Sequence, residues 1–464
     1  VSEHTALTND LYQLTMAQAY MRNGMHLSRA SFEYFFRRNA FGGGYTVVAG
    51  VQSLLDYVRD NFRFTDEDIE YLKSLDRFAD WFLSYLRRFR FSGRIWAMAE
   101  GSLAFPDEPV IRVDAPILEA QLLETPLLNI MNFQSLIATK AARIRHAAGD
   151  DTIIEFGVRR AQGHDGALSA SRAAYIGGCN ATSNLEAGRE FGIPVVGTHS
   201  HSWVMANPNE LTAFKNYADT FPDDTVLLVD TYDTLNSGLP HAIMTAKHLR
   251  EKCYELKGIR LDSGDLYALS CAARKMLDDA KFHNVTICAS NELDEHEITR
   301  LKSLGAPIDI WGVGTRLATG APDAALGGVY KLVATQRLHH VEWNGCEKHS
   351  EGKATRPHRK QVWRFYDERG KMLCDVVDRY KPVNQVGPPD PLYLKRPAHP
   401  QGPGERMLLP SGTSYQHHEG DNSLLKSIRD RSARAQALLP DCYRDLLAAN
   451  VPTYPVYHSI PGRS

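Results

Sequence analysis

The sequence is poor in cysteine and holds no C-x-x-C pair: Cys179, Cys253, Cys271, Cys288, Cys346, Cys374 and Cys442 are scattered over 464 residues. An odd, scattered set argues against a disulfide framework or a zinc site and for reduced thiols in a cytosolic compartment. Neither sign of charge is in excess. With 53 Lys+Arg against 55 Asp+Glu and a formal net charge of −2, there is no global basic field to draw in nucleic acid. The longest uncharged run, 191–209, includes Gly, Pro, Asn and two His and is no membrane span. Val1-Ser2-Glu3-His4 lacks the basic and apolar regions of a signal peptide. These shortages lead us to expect a cytoplasmic protein with neither a nucleic-acid nor a membrane partner. What remains is an ordinary globular composition, 43% hydrophobic and 23% charged, long enough for two or three domains.

Residues 1–115 are rich in aromatics and arginine, as in Phe32-Glu33-Tyr34-Phe35-Phe36-Arg37-Arg38 and Leu83-Ser84-Tyr85-Leu86-Arg87-Arg88-Phe89-Arg90. Between them Gly42-Gly43-Gly44 breaks the chain, and Gln52 to Asn61 has helical spacing. This predicts an α+β domain whose aromatics form its core, since no glycine-aromatic RNA-binding signature accompanies them. From about 150 to 330 a second rhythm sets in. β-Branched runs at Thr152–Phe156, Ile193–Val196, Thr225–Val229, Gly258–Leu261, Val285–Ala289 and Ile308–Trp311 read as strands. Helical patterns follow at Glu210–Ala218, Ala242–Lys252, Leu266–Ala280 and Glu295–Leu304. Strand alternating with helix predicts a parallel sheet. Beyond Leu332 the rhythm stops. Gln361 to Tyr366, a turn at Gly370 and Met372 to Val377 predict a hairpin. Pro388 to Pro391 and Pro400 to Gly404 read as loops, Ser423 to Leu447 as a pair of closing helices, and the last residues as a tail.

The strand ends carry the chemistry. In order they read Gly157-Val158-Arg159-Arg160, Gly197-Thr198-His199-Ser200-His201-Ser202, Asp230-Thr231-Tyr232-Asp233, Asp262-Ser263-Gly264-Asp265, Ser290-Asn291-Glu292 and Gly312-Val313-Gly314-Thr315. A closed parallel barrel gathers such ends on one rim. A doubly wound open sheet spreads them along a crevice and usually opens with G-x-G-x-x-G, which does not follow Phe156, so a barrel is preferred. Gly312, Gly314 and Thr315 offer bare amides and a hydroxyl suited to a phosphate, although short G-x-G turns also serve backbone geometry alone. Arg159, Arg160 and Arg260 suit phosphate or carboxylate, or form salt bridges on the rim. Together with Asp230, Asp233, Asp262 and Asp265 they fit a magnesium-bound di- or triphosphate. His199 and His201, one residue apart on extended chain, face opposite ways and cannot share a metal. One of them beside Asp230 is a candidate nucleophile whose tautomer the acid fixes. Cys271 and Cys288 read as structural. The basic segment Lys353 to Lys360 reads as a solvated or anion-steering loop.

These clusters, in order, resemble the nicotinate phosphoribosyltransferase family. The resemblance runs from Leu7-Thr8-Asn9-Asp10-Leu11-Tyr12-Gln13 through Phe41-Gly42-Gly43-Gly44-Tyr45, Glu155-Phe156-Gly157-Val158-Arg159-Arg160-Ala161-Gln162-Gly163 and Ala170-Ser171-Arg172-Ala173-Ala174-Tyr175-Ile176-Gly177-Gly178. It continues through Gly197-Thr198 with His201-Ser202, Arg260-Leu261-Asp262-Ser263-Gly264-Asp265 and Gly327-Gly328-Val329-Tyr330-Lys331 to beyond Lys360-Gln361-Val362-Trp363-Arg364. The resemblance implies an enzyme of pyridine-nucleotide salvage that joins nicotinate to phosphoribosyl pyrophosphate, with ATP hydrolysis coupled through a phosphohistidine at the position of His201. It implies that Asp230 orients that histidine. It further implies that Phe156 and, from a neighbouring subunit, Tyr12 sandwich the pyridine ring, which would make a homodimer the working unit. Arg159, Thr198, Ser202, Arg260 and Asp262 match positions of the substrate site, and Gly312, Gly314 and Thr315 the 5′-phosphate loop. Mg²⁺ and ATP are the implied cofactor and co-substrate.

The fold expected is an irregular TIM-like (β/α) barrel over 116–335 that carries the site, with an α+β N-terminal domain over 1–115 and a smaller C-terminal region over 336–464, part of which packs back on the first domain. Nicotinamide-using relatives carry a G-T-D-T stretch whose aspartate accepts from the substrate amide. Here the stretch is Ala181-Thr182-Ser183-Asn184. An aspartate would repel the carboxylate of nicotinate, whereas Ser183 can donate to it. A silent phosphosugar-binding barrel is the other alternative, and such a protein is expected to have lost His201, Asp230 or Arg260.

Overall fold

The computed structural model describes residues 5–350, 353–381, 404–411, 423–447 and 451–459. The chain divides into two compact units. The first comprises the described residues of Val1–Thr139, Ala325–His417 and Asp430–Ser464, the second those of Lys140–Ala324 and His418–Arg429.

In the first unit an antiparallel sheet is built around Arg29–Phe36, which pairs with Gly328–Gln336 on one side and Ile111–Pro116 on the other. Arg94–Met98 and Leu408–Pro410 extend it. The aromatic run predicted to be core is core. Phe32, Tyr34 and Phe36 are buried, and Phe32 stacks on Tyr330 with ring centroids 4.8 Å apart. Each such ring contributes about 2–3 kcal/mol by leaving water. Helix Val51–Asp60 coincides with the predicted one and buries Leu54 and Leu55 in the same core. Helix Asp66–Ser74 starts at a capping box between Thr65 and Asp68.

The predicted hairpin is present as Lys360–Tyr366 against Met372–Arg379, with Gly370 at a φ of 73° in its turn. Two expectations for the C-terminal region are corrected. The tail contributes a strand, Val456–His458, which pairs parallel to Met372–Arg379. Helix Ser423–Leu438 is followed by the single 3₁₀ turn Asp441–Tyr443, not by a second helix, because Pro440 cannot continue a helical ladder. The proline-rich stretches at 388–391 and 400–403 lie outside the described residues.

The second unit holds six parallel strands in the order Ala181–Thr182, Thr152–Glu155, Ile310–Val313, Thr286–Ser290, Gly258–Leu261, Val226–Leu228. Five match predicted strands to within two residues at either end. No closed barrel is found: among the described residues the hydrogen-bonded ladder ends at Ala181–Thr182 and Val226–Leu228. The cause lies in the run predicted as a strand at Ile193–Val196. It makes one parallel bridge, Val195 to Thr182, through Thr182 N–H to the Pro194 carbonyl and Val196 N–H to the Thr182 carbonyl, each at 3.0 Å. Toward Val226–Leu228 the segment substitutes side chains for a ladder. The Thr198 hydroxyl donates to the Val226 carbonyl, and His199 Nε2 accepts the Leu228 N–H at 3.2 Å.

Helices Leu239–Glu251, Leu266–Asp279 and Glu295–Ser303 fall where helical spacing predicts them. Helix His164–Gly177 is absent from the sequence reading because it is buried nearly all round, with Ala167, Ala170, Ser171, Arg172 and Ala173 all covered, and so carries no polar stripe. Parallel strands place their C-terminal ends together; five of the six polar clusters named above sit at such ends, and 197–202 follows the irregular segment.

Candidate active site

His201 opens the helix His201–Ala206 at the end of the irregular 193–199 segment. Its side chain is 38% exposed. Nδ1 lies 3.1 Å from the Thr231 hydroxyl, and Nε2 lies 4.0 Å from Asp230 Oδ1 and 3.9 Å from Asp262 Oδ2. Asp230 is fixed from the opposite side, its Oδ2 accepting the Asp262 N–H at 2.9 Å and the Ser263 hydroxyl at 2.6 Å. Its Oδ1 is buried with no hydrogen-bond partner, and His201 is the ring that faces it. The sequence pointed to the acid as the group that holds this imidazole; the hydroxyl one residue later makes the contact. Thr231 sits in the same strand-end cluster, so the signal was present but not its assignment.

The two histidines have different surroundings. His199 is buried and accepts the Leu228 N–H at Nε2, leaving Nδ1 to donate toward the Ser200 carbonyl at 3.4 Å. Burial pushes its pKa down to about 4, and the nearby Arg260 and His201 push the same way. The unfolded chain takes up this proton near the ordinary histidine value, so stability is lost as pH falls between the two values. Between pH 7 and pH 5 this one group should cost about 2 kcal/mol. Denaturant midpoints at both pH values check it: the loss in the native protein should exceed that in His199→Gln, and equal losses would refute the assignment.

Arg260, on Gly258–Leu261, is clamped. Its Nε donates to Ser290 Oγ at 2.8 Å and one terminal nitrogen to Asp262 Oδ1 at 2.7 Å, while Ser290 Oγ also donates to that carboxylate. Its guanidinium lies 5.2 Å from the centre of the Phe156 ring. Ser290 entered the sequence reading only as part of a strand-end cluster with no role of its own, yet its hydroxyl joins Arg260 and Asp262. The Phe156 ring rests on Gly312, where an added Cβ would come within 2.6 Å of two ring carbons. Gly312 is thus inside the ladder beneath the ring, and the more accessible backbone is at Gly314 and Thr315, where the short helix Thr315–Ala318 begins.

Arg159 and Arg160 are exposed on the turn Val158–Arg160. Ser202 is exposed and shares a 2.6 Å contact with Ser200. Thr198 spends its hydroxyl on the Val226 carbonyl, and Ser183 is half-buried. Two of the rim acids are taken up as helix caps: Asp233 accepts from Leu235 and Asn236, Asp265 from Tyr267 and Ala268. Beside the clamp a cavity of about 570 Å³ is bordered by Gly264, Asn291, Glu292, Arg300 and Arg316. Tyr12 belongs to the first unit and is 49% exposed on helix Leu11–Arg22. Among the described residues no three metal-ligating side chains group together, and no helix is long and apolar enough to cross a membrane.

Comparison with known proteins agrees with this arrangement. Residues 7–132 match the model of the nicotinate phosphoribosyltransferase N-terminal domain and residues 152–376 that of the nicotinate phosphoribosyltransferase family. A nicotinate phosphoribosyltransferase of Bacillus subtilis is 50% identical over 363 residues, 78% of this chain and 74% of the relative. One from Arabidopsis thaliana is 38% identical, over 82% and 78%. The crystal structure of human nicotinic acid phosphoribosyltransferase superposes with a TM-score of 0.81 at 32% identity, covering 97% of both chains. With motifs, fold and sequence in agreement along most of its length, the chain belongs to the nicotinate phosphoribosyltransferase family, enzymes of NAD salvage.

Proposed function

We propose that this enzyme joins nicotinate to phosphoribosyl pyrophosphate. The pyridine nitrogen attacks the anomeric carbon, the bond from that carbon to the pyrophosphate oxygen breaks, and nicotinate mononucleotide and pyrophosphate leave. The observation that carries the reading is the Arg260 clamp. A guanidinium held by Ser290 and Asp262 against the face of Phe156 sets a fixed cation beside an aromatic platform. A flat, electron-poor ring suits such a platform, and the cation suits the charge that builds up on departing pyrophosphate. Stacking by Phe156 on one face leaves the other for Tyr12 of a second copy, whose exposure on its helix accords with a shared site and a homodimer.

ATP enters through His201. Its γ-phosphoryl passes to an imidazole nitrogen, ADP leaves, and hydrolysis of the phosphohistidine returns the free ring and phosphate. Magnesium fits the residues present. Asp230 Oδ1 and Asp262 Oδ2 take no protein hydrogen bond among the described residues and both face His201 Nε2, so they are the oxygens that would meet the ion or its waters. When bound, it neutralises charge on the polyphosphate substrates.

The test is direct. Incubation with nicotinate, phosphoribosyl pyrophosphate, Mg²⁺ and ATP should yield the mononucleotide, with nicotinamide in place of nicotinate giving at least about tenfold less product, since Ser183 stands where an acid would be needed. Equal or greater turnover of nicotinamide would reverse the substrate assignment.

A further inference from the structure

Under the candidate site lies a carboxylate that the reaction scheme does not use. Glu155 ends its strand and is 1% exposed. Its Oε1 accepts the Gly157 N–H, and its Oε2 accepts the hydroxyls of Thr182 at 2.6 Å and Ser171 at 2.9 Å. Asn184 joins twice, its backbone N–H to Thr182 Oγ1 at 3.0 Å and its Nδ2 to Ser171 Oγ at 3.1 Å, while its Oδ1 caps helix Leu185–Phe191. The Ser183 N–H donates to the Glu155 carbonyl at 3.0 Å.

Two loops are thereby fastened to one residue. On one side the Gly157 amide fixes the turn from Phe156 to Arg159. An added Cβ at 157 would stand 2.8 Å from Glu155 Oε1 and 2.3 Å from Ala318 Cβ, so the turn has no slack. On the other, Thr182 and Asn184 are buried and bonded, whereas Ser183 between them is half-buried with a hydroxyl that makes no hydrogen bond among the described residues.

We propose that Glu155 is a positioning residue for recognition of the aromatic acid: it sets the separation between the Phe156 platform and the Ser183 hydroxyl that meets the substrate carboxylate. This rests on the proposed function and names how its site is held in register. The chemistry requires an acceptor with no proton of its own. Thr182 Oγ1 and Ser171 Oγ each receive an N–H from Asn184, so each turns its proton toward Glu155. Ser171 has an alternative acceptor in the Ala167 carbonyl at 3.1 Å. Thr182 has no such alternative among the described residues. A glutamine keeps an oxygen for Gly157 but presents an amide nitrogen to the Thr182 proton, leaving a buried donor unsatisfied.

Steady-state kinetics on Glu155→Gln, Thr182→Val and Thr182→Ser separate this from plain structural support. The expected result is a nicotinate KM raised about tenfold in Glu155→Gln and Thr182→Val, with the phosphoribosyl pyrophosphate KM within about twofold of native, the melting temperature lowered by no more than about 5 °C, and Thr182→Ser restoring native values. A nicotinate KM unchanged in both Glu155→Gln and Thr182→Val overturns the inference, as does a rise in both KM values together with a fall in melting temperature. A native enzyme that makes no mononucleotide from nicotinate overturns the functional reading and this inference with it; unchanged KM values in an active enzyme overturn this inference alone.

Discussion

Replacing His201 with alanine is expected to end ADP release in step with nucleotide formation, by at least about a hundredfold, while slower uncoupled transfer persists. The argument starts from the ring's surroundings. Nδ1 is held by Thr231 at 3.1 Å, and with the proton on that nitrogen Nε2 keeps its lone pair and faces the rim. Among the described residues no group within hydrogen-bond reach occupies Nε2, because Asp230 and Asp262 stand back at 4.0 and 3.9 Å. A ring 38% exposed is open to a phosphoryl donor, as a nucleophile must be. Phosphorylation adds about two negative charges next to two carboxylates, an arrangement that favours a divalent cation and changes the electrostatics of the pyrophosphate site. Arg260 and Phe156, to which the proposed transfer is assigned, belong to other strand ends and are untouched by the substitution. Measuring ADP and mononucleotide in the same reaction decides the matter; a variant that still releases one ADP per nucleotide shows the phosphoryl group is carried elsewhere.

Much of the second unit was legible because local patterns and tertiary demands coincide there. Gly258–Leu261 is a strand with the predicted bounds. The open ladder was not legible: Ile193–Val196 has the composition of a strand, but toward Val226–Leu228 side chains of Thr198 and His199 stand in for ladder bonds. Tertiary partners were beyond reach for the same reason. Nothing near Gly312 in sequence says that the Phe156 ring lies on it, and nothing near Glu155 says that Thr182 and Ser171 turn their protons to it. Ser290, a small residue at the end of an ordinary strand, gains its role only when the neighbouring strand delivers Arg260 and Asp262 beside it. Residue types and strand ends are thus readable from sequence where the chemistry is carried by a motif, and unreadable where one side chain serves a neighbour on another strand.

The Arg260 clamp yields the second large effect. Arg260→Lys keeps the charge but replaces a planar fork with a single ammonium that cannot serve Ser290 Oγ and Asp262 Oδ1 at their present positions and also stack on Phe156. The side chain is 16% exposed and its acid 31%, so the pair is shielded from water without being sealed. In such a setting the geometry of the charge matters more than its presence, because a preorganised cation needs no rearrangement as pyrophosphate departs. The expected loss is about a hundredfold in kcat/KM for phosphoribosyl pyrophosphate, equivalent to ~2.7 kcal/mol of transition-state stabilisation. Arg260→Ala should lose at least as much, since Asp262 then stands without its cation and Phe156 without its neighbour. Initial rates with phosphoribosyl pyrophosphate varied at saturating nicotinate measure both variants, and a lysine variant within about threefold of native would mean that a bare positive charge suffices and that the clamp contributes nothing to the reaction.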